Sequence, residues 1–147
     1  MSEENDLELK GMAEFLFIAI NYVKNVNAVT NKLKKKDWDF ILVLEATDWP
    51  HAGAIHFIGD ELKVFAMSEE DIQDKSKWDL KITSTGPTFF DYFMSRIGVI
   101  RPILLGKMKV KGMLKVLKVF WFILTMLKVF KGNQTLSEAF FWQLYDK

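Results

Sequence analysis

The sequence predicts an α+β domain, with five strands covered by amphipathic helices and a further helix at the C-terminus. Three observations carry this expectation. Apolar residues recur at helical spacing over residues 12–26 and over Met113–Phe130. Between those segments lie runs that are apolar throughout or alternate with period two, punctuated by Gly, Pro and Asp. The 147 residues show no repeat and no linker, and at about 100–200 residues per domain they make one domain, 1–147.

At 100° per residue, Met12, Phe15, Leu16, Ala19, Tyr22, Val23 and Val26 share one face of the first helix, with Phe17 and Ile18 flanking it. Glu14, Asn21, Lys24 and Asn25 lie opposite, and a weaker turn continues to Leu33 before Lys34-Lys35-Lys36. Trp38–Ala46 contains Phe-Ile-Leu-Val-Leu, apolar on both faces as in a central strand covered from both sides. After a connection with Pro50 and Gly53, residues 54–58 and 62–67 flank Gly59-Asp60-Glu61 as a hairpin.

Residues 68–77 read as a loop or one capped turn, Ser68 with Asp71. Over residues 78–84, Trp78, Leu80 and Ile82 alternate with Asp79, Lys81 and Thr83, which gives a half-buried strand. Pro87 after Gly86 opens a helix, since proline at the first helical position loses no needed donor. Phe89, Phe90, Phe93, Met94 and Ile97 carry that helix to Gly98, and Pro102 interrupts residues 99–105. Lys107–Lys111 is a short strand between Gly106 and Gly112, lysines outward and Met108 and Val110 inward. Met113–Phe130 is a helix with 14 apolar residues of 18, and the capping box Thr135-Leu-Ser-Glu138 opens a last helix over residues 136–145.

Composition removes several function classes. There is no cysteine, so no disulfide scaffold, thiol nucleophile or thiolate zinc site. Twenty basic residues against 19 acidic ones argue against nucleic acid as a partner. The two longest uncharged apolar runs, residues 15–23 and 119–127, are nine residues each, half of what a membrane span needs. The acidic start lacks a signal-peptide pattern and the end, Tyr145-Asp146-Lys147, lacks a retention tripeptide, so the expected location is cytoplasmic. Charge is unevenly spread: residues 1–14 sum to −4, whereas residues 95–131 hold nine cations and no acid. Such a surface is either a solvated basic face or one that attracts anionic head groups.

No catalytic apparatus emerges. His51 and His56 are the only histidines, and their spacing suits no zinc site. A Ser84, His56, Asp48 triad lacks the glycine pattern of a nucleophile elbow. Neither phosphate-binding glycine motif occurs, and the acidic runs lack the alternating spacing of a calcium loop. No cofactor or metal is expected. What stands out is surplus apolar surface on Met113–Phe130. Met113, Val116, Val119, Phe120, Ile123, Leu124 and Leu127 share one face, while Leu114, Trp121, Phe122 and Val129 sit among the lysines. A soluble monomer seldom leaves such a patch open, so the last helix, a partner, a membrane or a ligand should cover it.

The order of features over residues 82–118 is specific. A strand ending Ile82-Thr83-Ser84 leads to a short apolar helix and a proline-bearing stretch. Gly106-Lys-Met-Lys-Val-Lys-Gly112 follows, and then a lysine-spaced apolar helix. This order resembles the sterol-carrier-protein-2, or nonspecific lipid-transfer, family; the resemblance extends over residues 12–130 and leaves 133–147 as an addition. It implies a mixed, mostly antiparallel sheet with helices over one face, enclosing an apolar tunnel for fatty acyl chains, acyl-CoA, phospholipids or sterols, without catalysis. The tunnel would be lined by Phe89, Phe93, Ile97, Ile100, Leu104, Met108, Val110, Met113, Val116, Phe120, Ile123 and Leu124. Lys115, Lys118, Trp121, Phe122 and Lys128 would form a transient membrane-docking face. The competing expectation is an interaction or homodimerisation module with a filled core.

Overall fold

The long apolar strand is central, as its two-sided hydrophobicity requires. In the computed structural model, which describes residues 11–23, 27–49, 51–59, 61–93, 98 and 101–130, Trp38–Ala46 forms β1 with Val43 buried on one face and Phe40, Leu42 and Leu44 on the other. Ala52–Gly59 is β2, Glu61–Met67 is β3, Leu80–Ser84 is β4 and Lys109–Lys111 is β5. The helices are α1 (Met12–Val23), α2 (Asn27–Lys36), α3 (Glu69–Gln73), α4 (Gly86–Phe93), α5 (Arg101–Leu104) and α6 (Met113–Phe130). The sheet order is β3-β2-β1-β4-β5. Only β1 and β4 run parallel, with Leu42 opposite Leu80 and Leu44 opposite Ile82; the other pairs are antiparallel. The expected mixed α+β architecture is therefore present.

Several boundaries differ from the sequence reading, each for a local reason. α2 is a full ten-residue helix where only a weak turn was expected. β4 begins at Leu80, because Trp78 folds over the sheet and donates its indole N–H to the Ile72 carbonyl at 2.8 Å. Asp79 beside it accepts the Ile41 N–H on its carboxylate at 2.9 Å. β5 is cut to Lys109–Lys111 because the N–H groups of Lys107 and Met108 both donate to the Pro102 carbonyl, at 2.9 and 3.1 Å. The proline-bearing stretch holds one helical turn, α5. Ser68 caps α3 by accepting the Asp71 N–H at 3.2 Å, so the capped turn forms. The expected last helix lies outside the described residues.

The main core lies between α1, α4 and α6 and one face of the sheet, joining Phe15 and Leu16 to Phe40, Phe57 and Leu80 and to Val119 and Phe122. Each such side chain contributes about 1.5–3 kcal/mol on burial. Gly53 allows α1 to lie directly on β2, since a Cβ there would stand 2.7 Å from Leu16 Cδ1 and 3.0 Å from Ala13 Cα. The opposite face carries a smaller cluster, Val43, Ala54, Phe65 and Met67, covered by Ile72 and Trp78.

Candidate functional site

A cavity lies between the sheet and the helices at the β1–β4 end. Its floor is Leu42 and Leu44 of β1 and Ile82 of β4. α4 supplies Phe89 and Tyr92, one turn apart on the inner face. That helix is fixed at its start by Thr85, whose hydroxyl oxygen accepts the Thr88 N–H at 3.3 Å, and by Asp48, whose carboxylate accepts the Gly86 N–H at 2.7 Å. α5 supplies Ile103, the turn before β5 supplies Met108, and α6 supplies Val116, Phe120, Ile123 and Met126. Gly112 launches α6 close against β4. Its φ is +91°, and a Cβ there would meet the Asp79 carbonyl at 2.7 Å.

The cavity encloses about 50 Å³. Its walls are hydrocarbon, aromatic ring and the Met108 and Met126 thioethers, with the Tyr92 phenol as the one hydroxyl among the lining residues. Burial pushes the Tyr92 hydroxyl up to about 12, so it stays protonated at any physiological pH. Water needs two to four polar partners to settle in a cavity, and these walls do not supply them. The site is suited to hydrocarbon and to little else.

The catalytic arrangement weighed from sequence does not assemble. Ser84 is buried on the helix-covered face and donates its hydroxyl to the Lys107 carbonyl at 2.6 Å. His56 projects from the opposite face of β2 and pairs with Asp39 at 2.7 Å. Asp48 is engaged at the start of α4. Among the described residues, no group of three His, Cys, Asp or Glu could hold a metal ion. A second hollow of about 330 Å³ lies beside Glu45, His51, Ser68 and Glu69, at the edge of the smaller cluster and away from this cavity.

Of the residues expected to line a tunnel, the structure places Phe89, Met108, Val116, Phe120 and Ile123 on the cavity wall. Val110 is half-buried against the core but outside the wall. Leu104 is a correction. It is 79 % exposed, because the α5 turn directs Pro102 and Ile103 inward and Leu104 out. Leu124 is also corrected to an outer position, 36 % exposed, because α6 is rotated so that Val119, Phe122 and Met126 are buried. Ile97 and Ile100, and the side chains of Phe93 and Met113, lie outside what the structure describes.

Leu42, Leu44, Ile82, Tyr92, Ile103 and Met126 were missed. The two-sided hydrophobicity of β1 and the spacing of Phe89 and Tyr92 were the available signals for three of them. Ile103 had none, since nothing in an irregular proline stretch announces its single helical turn.

The membrane-docking set does not form one surface. Phe122 is fully buried, and Trp121 is half-buried against Trp38 at 5.8 Å with the Lys32 ammonium 4.8 Å from its ring. Lys118 lies over the rings of Trp38 and Phe40, at 5.5 and 5.2 Å. Lys115 faces Asp79 at 3.6 Å, and Lys128 is exposed. The rotation of α6 that buries Phe122 takes this face apart.

No protein-family model and no curated protein matches the sequence. Solved structures do match the fold. A structure described as a UbiJ-SCP2 ubiquinone synthesis protein superposes with a TM-score of 0.58 at 12 % identity, covering 90 % of this chain and 99 % of the other. A crystal structure of sterol carrier protein 2 gives 0.58 at 14 % identity, covering 84 % and 95 %. Apo sterol carrier protein 2 from Yarrowia lipolytica gives 0.53 at 17 % identity, covering 87 % and 99 %. Sheet order, helix placement and these near-complete superpositions define one class, an α+β domain of a single mixed sheet under helices. That class is the sterol-carrier-protein-2 fold, as the order of features over residues 82–118 implied.

Proposed function

We propose that this protein is a non-catalytic cytoplasmic carrier that binds and transfers lipids. The ligands are fatty acyl chains, acyl-CoA, phospholipids or sterol-like molecules, taken up from membrane surfaces. The observation that carries the reading is the apolar cavity between β1, β4 and α4–α6, whose lining residues include no charged group. Burying a hydrocarbon chain there is worth about 0.8 kcal/mol per methylene before costs, enough for binding without specific polar contacts. Sites for whole ligands occupy about 300–1,000 Å³, well above the 50 Å³ enclosed here, so the cavity must widen as a chain enters. The half-buried Val116, Phe120 and Ile123 belong to one helix, whose outward shift would open the wall.

That small volume also favours a second reading, an interaction or homodimerisation module with a filled core. A fluorescent fatty acid separates the two. The carrier binds it in the micromolar range, and Phe120→Asp abolishes binding by setting an unpaired carboxylate against the chain. If wild type takes up no probe and both Phe120→Asp and Phe120→Ala unfold, the filled module is the better account.

A further inference from the structure

We infer that the turn at residues 101–107, whose Ile103 lines the cavity, is a docking tip for an anionic bilayer. Its purpose rests on the carrier reading; its existence is a separate matter of surface chemistry. Leu104 and Leu105 are 79 % and 59 % exposed, and Leu117 on α6 is 75 % exposed. Scattered exposed leucines are ordinary, but an adjacent exposed pair on a turn whose own Ile103 lines an apolar cavity is not.

Position ties these leucines to the cavity. Ile103 lines the wall and Leu104 follows it outward; Val116 and Phe120 line the wall and Leu117 stands between them in sequence on the outer surface. The same short elements thus present apolar groups to the cavity and to solvent.

The turn is built to hold its leucines out. Leu105 N–H donates to the Arg101 carbonyl at 2.9 Å, Gly106 N–H to Ile103 at 3.2 Å, and Lys107 and Met108 to Pro102 at 2.9 and 3.1 Å. Gly106 closes the turn at φ +75°, and Pro102 is buried beneath it. Four backbone hydrogen bonds and a buried proline leave little freedom for the leucines to fold back.

Charge selects the partner. Arg101 and Lys107 are both exposed and bracket the leucines, in a stretch, residues 95–131, with nine cations and no acid. Two apolar side chains between two cations fit a bilayer surface, with leucines entering the acyl boundary and cations meeting anionic head groups. In a two-fold contact, tip against tip, a second copy of the chain would bring the same positive charge and be repelled.

Vesicle flotation tests this with phosphatidylcholine alone and with phosphatidylcholine containing phosphatidylserine. Wild type should bind the anionic vesicles better, and less so as salt rises. Leu104→Ser with Leu105→Ser should weaken that binding by about tenfold or more, and Arg101→Ala with Lys107→Ala by about fivefold per cation on anionic vesicles only. Both double variants change exposed side chains and should bind a monomeric fluorescent fatty acid from solution as wild type does. That second readout separates loss of docking from failure of the carrier reading. Vesicle binding that is absent in wild type, or unchanged by the leucine pair, would overturn the inference, as would a leucine-dependent dimer in sedimentation.

Discussion

Phe122 of α6 meets Phe57 of β2 edge to face, with ring centroids 4.8 Å apart and planes at 87°. This contact fixes the rotation of α6 on the sheet. With Phe122 inward, Val119 and Met126 are buried beside it. Val116, Phe120 and Ile123 are brought to the cavity wall, and Leu117 and Leu124 to the outer surface. Trp38 extends the cluster, 5.6 Å from Phe57 and 5.8 Å from Trp121. Aromatic pairs in such geometry add about 0.5–1.5 kcal/mol beyond their buried area.

Phe122→Ala should therefore cost about 3–5 kcal/mol in chemical denaturation, as expected for a fully buried ring. Leu117→Ala, five residues away and 75 % exposed, should stay within about 0.5 kcal/mol. Equal effects from the two would mean that α6 is turned differently from this description.

Much of the fold was legible because its signals are periodic. The unbroken apolar run marks β1 to the residue, and the Gly59-Asp60-Glu61 turn marks β3 to within one residue. The site was legible where helical spacing sets it, at Phe89, Val116, Phe120 and Ile123. Phase was the weak point. Met113–Phe130 is apolar almost all round, so its periodicity does not choose a face, and the Phe122–Phe57 contact that does is made by residues 65 positions apart. The α5 turn was illegible for a different reason. Pro102 marks an interruption, and only the backbone bonds around it decide that Ile103 points in and Leu104 out.

Tyr92 gives the cavity a pH signature. Its hydroxyl is raised to about 12 in the folded protein and titrates near 10 when unfolded, so folding favours the protonated phenol. The stabilisation is fully present below about pH 10 and is lost as pH rises through 12, by about 2–3 kcal/mol in all. Urea unfolding of wild type against Tyr92→Phe should show this difference in slope above pH 10. Parallel profiles would mean that the phenol is hydrated and not inside the wall.

Gly112 joins the edge strand to α6 at φ +91°, with the Asp79 carbonyl oxygen 2.7 Å from where a Cβ would lie. Gly112→Ala combines left-handed backbone strain with a backbone clash and should destabilise by at least about 2 kcal/mol. Gly106→Ala, at φ +75° but with no atom near its Cβ, should cost less, about 1–2 kcal/mol. Thermal unfolding of the pair measures the close approach apart from the strain.

Ser84 holds the turn before β5 through its hydroxyl bond to Lys107. Ser84→Ala should cost about 1–3 kcal/mol by leaving that carbonyl short of a donor. It should leave fatty-acid uptake in place, because the hydroxyl serves structure and not the ligand. Loss of uptake in a stably folded Ser84→Ala protein would assign the serine a direct part in binding.

Where a hydrocarbon chain goes can be read from methyl resonances in the presence of a fatty acid carrying a nitroxide on its tail. The carrier account predicts the strongest line broadening at Ile82, Ile103, Val116 and Ile123, which line the cavity, and weaker broadening at Ile41, Val43 and Ile72 on the opposite face of the sheet. Broadening that is stronger on that opposite face, or equal across all methyls, or absent everywhere, would contradict it.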